Sequence, residues 1–118
     1  MVTTTVLIVD DHAAFRQAVR LMLEADGFDV VAEAATGGEA IELVRRLEPD
    51  VVLLDVQLPD LDGFAVADRI AVTMRAGAIV LISSRDAETY GDRVSRSPAR
   101  GFLDKSALSG EAVTRVVA

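Results

Sequence analysis

The chain has 118 residues and a formal net charge of −7, and 51% of its residues are hydrophobic. Its length suits one domain with a single core, and its acidity argues against direct nucleic-acid binding, because phosphate contacts need surplus lysine and arginine. Disulfides and thiolate metal sites are excluded because cysteine is absent, and no apolar run reaches the roughly 18 residues of a membrane span. We therefore expect one cytoplasmic domain over residues 1–118, without a membrane partner.

Short apolar runs alternate with longer amphipathic segments along the chain. The runs predict strands at residues 6–9, 30–32, 51–54, 79–82 and 102–103. The first, third and fourth runs show no polar alternation, which is typical of strands buried on both faces of a parallel sheet.

Between the runs, apolar residues recur at the spacing of a helix face. In chain order, the predicted faces are Phe15, Ala18, Val19, Met22 and Leu23; Ala40, Val44 and Leu47; Phe64, Ala67, Ala71 and Met74; and Ala112, Val113, Val116 and Val117. Residues 87–96 are a weaker helix candidate, because only Tyr90 and Val94 have this spacing. Five such strand–helix units predict an α/β fold, with a parallel sheet covered by helices on both faces.

Polar side chains stand where the predicted strands end. Asp10 and Asp11 follow the first strand, Asp55 the third, Ser83 the fourth and Lys105 the fifth. Ligands of doubly wound sheets bind at the carboxyl ends of the strands, where the strand order reverses. We therefore expect the functional site among these residues.

Such a group of carboxylates favours a bound cation. Two carboxylates about 4 Å apart repel by roughly 4 kcal/mol at an effective dielectric constant near 20, so a cluster either raises a pKa or recruits a cation. Mg²⁺ suits a site of carboxylates, water and phosphate. Lys105 and Ser83 are suited to hold phosphoryl oxygens, and Asp55 is placed to act as a nucleophile towards phosphorus.

Four segments occur in order at the predicted strand ends: VLIVDDH, VVLLDVQLPDLDG, VLISS and GFLDK. Together they resemble the receiver domain of two-component response regulators, and the resemblance covers essentially the whole chain. The segment DDHAAFRQAVRLMLE is similar to receivers of the LuxR/NarL class. The resemblance implies a flavodoxin-like, doubly wound (βα)₅ fold with strand order 2-1-3-4-5.

The resemblance also implies a role for each matched residue. Asp55 is the expected phosphoacceptor, and its phosphoryl donor is the phosphohistidine of a histidine kinase or phosphotransfer protein. Mg²⁺ is expected to bind Asp11 directly, Asp10 largely through water, and also Asp55 and the backbone carbonyl of Gln57. Lys105 is expected to pair with the phosphoryl oxygens.

The implied output is a change of protein-interaction surface. Ser83 is the expected switch hydroxyl, with Ser84 as its alternative, and Phe102 is the expected switch aromatic. A homodimer or a downstream protein is the expected target, and no external substrate is turned over. Phe102 stands where tyrosine is common in the family, and Ser106 stands where many members have proline.

Other interpretations stay open at this point. Asp10 and Asp11 are also suited to cap the first helix, whereas His12 has a structural role in our interpretation, and Asp60 and Asp62 are turn residues outside the site. A haloacid-dehalogenase-like phosphohydrolase also uses a strand-end aspartate, although its second aspartate is replaced here by Gln57. A degenerate receiver that binds partners without phosphorylation is a third possibility. The chain is either a stand-alone receiver or part of a longer regulator.

Overall fold

Five strands and five helices alternate in the computed structural model, which describes residues 3–74 and 76–118. The strands are β1 (Thr5–Val9), β2 (Asp29–Ala34), β3 (Val51–Asp55), β4 (Ala78–Ser83) and β5 (Gly101–Asp104), and the helices are α1 (Ala13–Ala25), α2 (Gly37–Leu47), α3 (Gly63–Thr73), α4 (Arg93–Arg96) and α5 (Gly110–Val117). The domain predicted over 1–118 includes Met1, Val2 and Arg75, which lie outside the described residues. Within the described ranges, no helix is both long and apolar enough to cross a membrane.

All five predicted strands are confirmed, and each is longer than its apolar run. Apolar residues mark only the buried part of a strand, whereas the hydrogen-bond ladder uses backbone groups of any residue. Thus β2 starts at the exposed Asp29 and β4 ends at the polar Ser83.

The sheet is wholly parallel, with the strand order β2-β1-β3-β4-β5 that the resemblance implied. The order reverses between the neighbours β1 and β3, where Val9 pairs with Leu54. Because β1 and β3 are parallel neighbours, the residues that follow β1 and those that end β3 meet at one edge. The crevice at such a reversal is where ligands of these sheets bind.

The pleat of the sheet sorts the core into two layers, because successive side chains point to opposite faces. Leu7, Leu54 and Leu81 lie in the layer covered by α2 and α3. Ile8 and Ile82 lie in the layer covered by α1 and α5. Every residue of β3 and β4 is buried, as predicted for strands covered on both faces.

The helices differ from the prediction at one end of α2 and along the fourth segment. Leu47, the last residue of α2, is 43% exposed, so the inward face of this helix ends at Val44. The fourth segment is a 3-10 turn, Ala87–Tyr90, followed by the single turn α4. Only Tyr90 and Val94 from these two turns pack on the core, which agrees with the weak periodicity of the segment.

The helix starts resolve the alternative roles of the aspartates. The N-cap of α1 is His12, with no side-chain capping hydrogen bond, so Asp10 and Asp11 do not cap that helix. Asp60 accepts hydrogen bonds from the Gly37 and Gly38 amides at the start of α2, at 2.8 and 3.0 Å. Asp62 is the N-cap of α3. These two aspartates, predicted as turn residues, hold the starts of two helices.

Gly63 holds the start of α3 against the end of β3. A Cβ atom on Gly63 would lie 2.6 Å from Val56 Cα and 2.8 Å from the Val56 carbonyl oxygen. We expect Gly63→Ala to lower the free energy of unfolding by about 2 kcal/mol, as overpacking against backbone does, measured by urea denaturation. The control is Gly38→Ala, whose nearest neighbour would be an Asp60 oxygen at 3.5 Å. Equal stabilities for the two variants would contradict this account.

Candidate functional site

The carboxyl edge of the sheet brings together three charged side chains from three strands. Asp10 follows β1 and is fully buried, and Asp55 ends β3 with 4% of its surface exposed. Lys105 comes directly after β5 and reaches over both. Parallel strands held in register deliver these groups to one place, although 95 positions separate the first from the last.

Lys105 bridges the two buried carboxylates. Its Nζ atom donates to Asp10 Oδ2 at 2.5 Å and to Asp55 Oδ2 at 3.2 Å. The ammonium also lies 4.6 Å from the centroid of the Phe15 ring, on α1. The lysine is therefore held over the crevice by two charge-assisted hydrogen bonds and a cation–π contact.

Burial and the lysine have opposing effects on the two carboxyl groups. Burial raises the pKa of Asp55 above its ordinary value, and the Gln57 amide and Lys105 offset this only in part. Burial also acts to raise the pKa of Asp10, but the hydrogen bonds from Lys105 and His12 outweigh it and hold that pKa below its usual range. Burial would lower the pKa of Lys105, yet the two carboxylates raise it. Asp55 is thus the more basic carboxylate, as suits a nucleophile.

Asp11 and His12 form the solvent side of the cluster. His12 Nδ1 lies 3.2 Å from Asp10 Oδ1 and 3.0 Å from Asp11 Oδ1, and the His12 amide donates to Asp10 Oδ1 at 2.8 Å. Arg16 donates to the Asp10 carbonyl oxygen at 2.5 Å. The structure therefore places the His12 ring in contact with two predicted metal ligands. The sequence suggests only a structural role for this residue.

The loop after β3 shapes the surroundings of Asp55. The Gln57 amide donates to Asp55 Oδ1 at 3.0 Å, and Gln57 forms an isolated antiparallel bridge with Asp62. The Gly63 amide donates to the Val56 carbonyl at 2.8 Å. These contacts hold the exposed Gln57 next to the predicted phosphoacceptor.

The donor set suits a hard divalent cation. Ligand atoms of Asp10, Asp11 and His12 lie within 4.8 Å of one another, and Asp55 is joined to Asp10 through Lys105. When ionised, Asp10, Asp11 and Asp55 carry three negative charges, and Lys105 carries one positive charge. One divalent cation would neutralise the remaining two negative charges. Oxygen-rich sets of this kind favour Mg²⁺.

Ser83 lies at the same edge but contacts other partners. It is 2% exposed, whereas Ser84 is exposed. Ser83 Oγ lies 2.7 Å from Tyr90 Oη and accepts a hydrogen bond from the Arg85 amide at 3.0 Å. The predicted switch aromatic, Phe102, contacts the Tyr90 ring, which also contacts Phe64.

Tyr90 is the residue that sequence reasoning missed at this site. It entered only as an apolar position of a weak helix, yet its hydroxyl meets the predicted switch serine. Tyr90 is the one tyrosine of the chain, and a half-buried phenol usually needs a hydrogen-bond partner. This requirement indicates that Tyr90 has a polar contact, but the sequence alone does not show which residue makes it.

Ser106 makes contacts that proline would lack. Its amide donates to Asp104 Oδ1 at 2.8 Å, and its hydroxyl donates to the same oxygen at 2.7 Å. Asp104 thereby caps the 3-10 turn Lys105–Ala107. Ser106, which stands where many family members have proline, thus ties the backbone on the two sides of Lys105 together.

Comparison with known proteins identifies the family. Residues 6–117 match the response regulator receiver domain. The chain is 31% identical over 99 residues to the DNA-binding transcriptional activator EvgA of Escherichia coli K12, covering 84% of this chain and 48% of EvgA. The chain spans about half the length of the curated relatives it matches.

Solved structures agree with this match. A LuxR-family two-component response regulator from Aurantimonas superposes with a TM-score of 0.85 at 32% identity, covering 96% of this chain and 81% of that chain. A LuxR-family DNA-binding response regulator from Staphylococcus aureus, at 21% identity, shares the fold with a TM-score of 0.87 over 98% of this chain and 99% of that chain. The chain belongs to the response regulator receiver domain family, and its relatives are response regulators of the LuxR/NarL class.

Proposed function

We propose that residues 1–118 form a phosphoacceptor domain in which Asp55 accepts a phosphoryl group from the phosphohistidine of a histidine kinase or phosphotransfer protein. The observation that carries the proposal is the Lys105 ammonium, which contacts both Asp10 and Asp55 at the edge where strand order reverses. A cation beside a buried carboxylate with a raised pKa suits the transfer of an anionic group to that carboxylate.

The transfer exchanges one bond to phosphorus for another. A carboxylate oxygen of Asp55 attacks the phosphorus, its bond to the histidine nitrogen breaks, and the electron pair leaves with the imidazole, so that an acyl phosphate remains on Asp55. Lys105 then leaves its contact with the Asp55 carboxylate and pairs with a phosphoryl oxygen. The domain is modified once in each cycle and turns over no external substrate.

Mg²⁺ is the proposed cofactor. Asp10, Asp11, Asp55 and the backbone carbonyl of Gln57 would hold it, and when bound it neutralises negative charge on the transferred group. Asp10 and Asp11 supply the anionic side of the site, and the Gln57 amide orients Asp55 through its hydrogen bond to Oδ1.

The proposed output is a protein-interaction surface that changes on phosphorylation. Ser83 moves towards the phosphoryl group and Phe102 changes its rotamer with it, which biases an element with two states. The target is a second copy of this domain or another protein in the cytoplasm. The net charge of −7 argues that the DNA contact implied by the name of EvgA would come from a different part of such a regulator.

Incubation with acetyl phosphate and Mg²⁺ followed by intact-mass analysis tests this function. We expect one phosphoryl adduct, lost in Asp55→Ala and absent when EDTA removes the metal. The control Asp60→Ala changes a carboxylate that accepts hydrogen bonds at the start of α2 and should keep the adduct. Rapid hydrolysis of small phosphate esters without an adduct would instead favour the haloacid-dehalogenase-like hydrolase. Absence of both the adduct and Mg²⁺ binding would favour the degenerate receiver.

Gln57 and Arg85 flank Asp55 and Ser83 through their backbone amides, and both are exposed. We expect the double variant Gln57→Ala, Arg85→Ala to shorten the acyl-phosphate lifetime severalfold, because two long side chains no longer restrict water. The lifetime is measured by intact mass after removal of the donor, with Asp60→Ala again as the control. An unchanged lifetime would dismiss the two residues as modulators.

Lys105→Met should leave two buried carboxylates without their shared cation. We expect the free energy of unfolding to fall by about 3 kcal/mol without divalent ions, the lower end for a broken buried pair. Mg²⁺ should restore more stability to this variant than to the wild type. The deficit should shrink as the pH falls, because folded carboxyl groups with raised pKa values then bind protons. Urea denaturation with and without Mg²⁺ measures these effects, and a deficit independent of Mg²⁺ and pH would contradict them.

A further inference from the structure

The Ser83 hydroxyl is held on the opposite side of the sheet from the phosphoacceptor. Leu81, two residues before Ser83, lies in the core layer of α2 and α3. Leu53, two residues before Asp55, lies in the layer of α1 and α5. Because alternate residues of a strand share a face, Ser83 and Asp55 leave the sheet towards opposite layers.

On that side of the sheet, the Ser83 hydroxyl forms a hydrogen bond with the Tyr90 hydroxyl. The two oxygens are 2.7 Å apart, in a site where Ser83 is 2% exposed. The second contact of Ser83 Oγ is the Arg85 amide, which donates to it at 3.0 Å. A serine hydroxyl has one proton and two acceptor lone pairs, so after accepting from that amide it can still either donate to the Tyr90 hydroxyl or accept from it.

A phosphoryl group on Asp55 would compete with Tyr90 for the Ser83 hydroxyl. Phosphoryl oxygens accept hydrogen bonds, so Ser83 can bind one only by donating its single proton to it. The serine must then rotate away from the layer that holds Tyr90. Because Tyr90 and Asp55 lie towards opposite layers of the sheet, one Ser83 rotamer does not reach both, and the Ser83–Tyr90 contact and a Ser83–phosphoryl contact are mutually exclusive.

Tyr90 also connects this hydrogen bond to the fourth segment of the chain. Its ring makes a T-shaped contact with Phe64 at 5.6 Å and a tilted contact with Phe102 at 6.0 Å between centroids. One turn later, Arg93 stacks 4.4 Å over the Phe64 ring and pairs with Asp62 at 2.5 Å. The Tyr90 hydroxyl is thus a polar attachment between this segment and β4.

We propose that Tyr90 is a positioning residue that holds the Ser83 hydroxyl away from Asp55 until a phosphoryl group takes the serine, which releases residues 87–96. The inference rests on the proposed phosphoacceptor function and adds to it the element that opposes switching. It also assigns to Tyr90 a hydroxyl function that Phe102 has no atom to perform.

A double-mutant cycle tests the proposal with beryllofluoride, a stable mimic of the phosphoryl group, in the presence of Mg²⁺. Tyr90→Phe keeps the ring and removes only the hydroxyl, and Ser83→Ala removes its partner. Titration calorimetry on the full chain should show Tyr90→Phe binding beryllofluoride about fivefold more tightly than the wild type, as expected for the loss of one neutral hydrogen bond that opposes binding. In the Ser83→Ala background the same change should have no effect.

The outcomes separate this inference from the function beneath it. If the wild type binds beryllofluoride but Tyr90→Phe binds it equally, more weakly, or with the same gain in both backgrounds, Tyr90 does not act through Ser83. If the wild type neither binds beryllofluoride nor accepts phosphate from acetyl phosphate, the proposed function fails and the inference with it.

Hydrogen exchange of the wild type supplies a readout that needs no variant. Amides of residues 87–96 should exchange faster when beryllofluoride is bound, because the segment has lost its attachment to β4. Unchanged exchange in this segment would overturn the proposed release.

Discussion

The ion pairs of Lys105 with Asp10 and Asp55 are the interaction on which the rest of the site depends. Two carboxylates with almost no solvent access are tolerated at the end of a parallel sheet because one ammonium is shared between them. That sharing is uneven, since it lowers the pKa of Asp10 while Asp55 stays above its ordinary value. The two carboxyl groups thus differ in pKa, in the direction that suits the nucleophilic role proposed for Asp55.

The sheet separates the proposed phosphorylation site from the proposed switch hydroxyl, because the two lie towards opposite faces. Asp55 and Lys105 face the crevice near Phe15 and α1, whereas Ser83 leaves β4 towards Tyr90. In the proposed switch, a change at the crevice reaches the opposite layer because one residue at this edge changes sides. Ser83 stands at the last position of its strand, and we propose it as the residue that changes sides.

Much of the fold could be predicted because local pattern and tertiary burial agree. Uninterrupted apolar runs gave the central strands, and helical spacing gave α1, α3 and α5. The prediction was weaker where few side chains decide the structure. Leu47 fits the apolar pattern of α2 but is exposed, and periodicity in the fourth segment could not distinguish a 3-10 turn from a helix. The alternative role of Asp10 and Asp11 as caps of α1 is wrong, because α1 begins at Ala13 and its N-cap is His12.

The sequence by itself determined which chemical groups stand at the strand ends, and so the candidate residues Asp10, Asp11, Asp55, Ser83 and Lys105. The alternation of strands and helices along the chain predicts a parallel sheet, and ligands of such sheets bind at the carboxyl ends of the strands. Both can be applied to the order of residues alone. Only the tertiary structure decided the contacts across the sheet: that Lys105 spans two carboxylates and that Tyr90 meets Ser83. Hydrogen-bond partners of this kind depend on rotamers and on the spacing of packed elements, which no periodicity in the chain encodes.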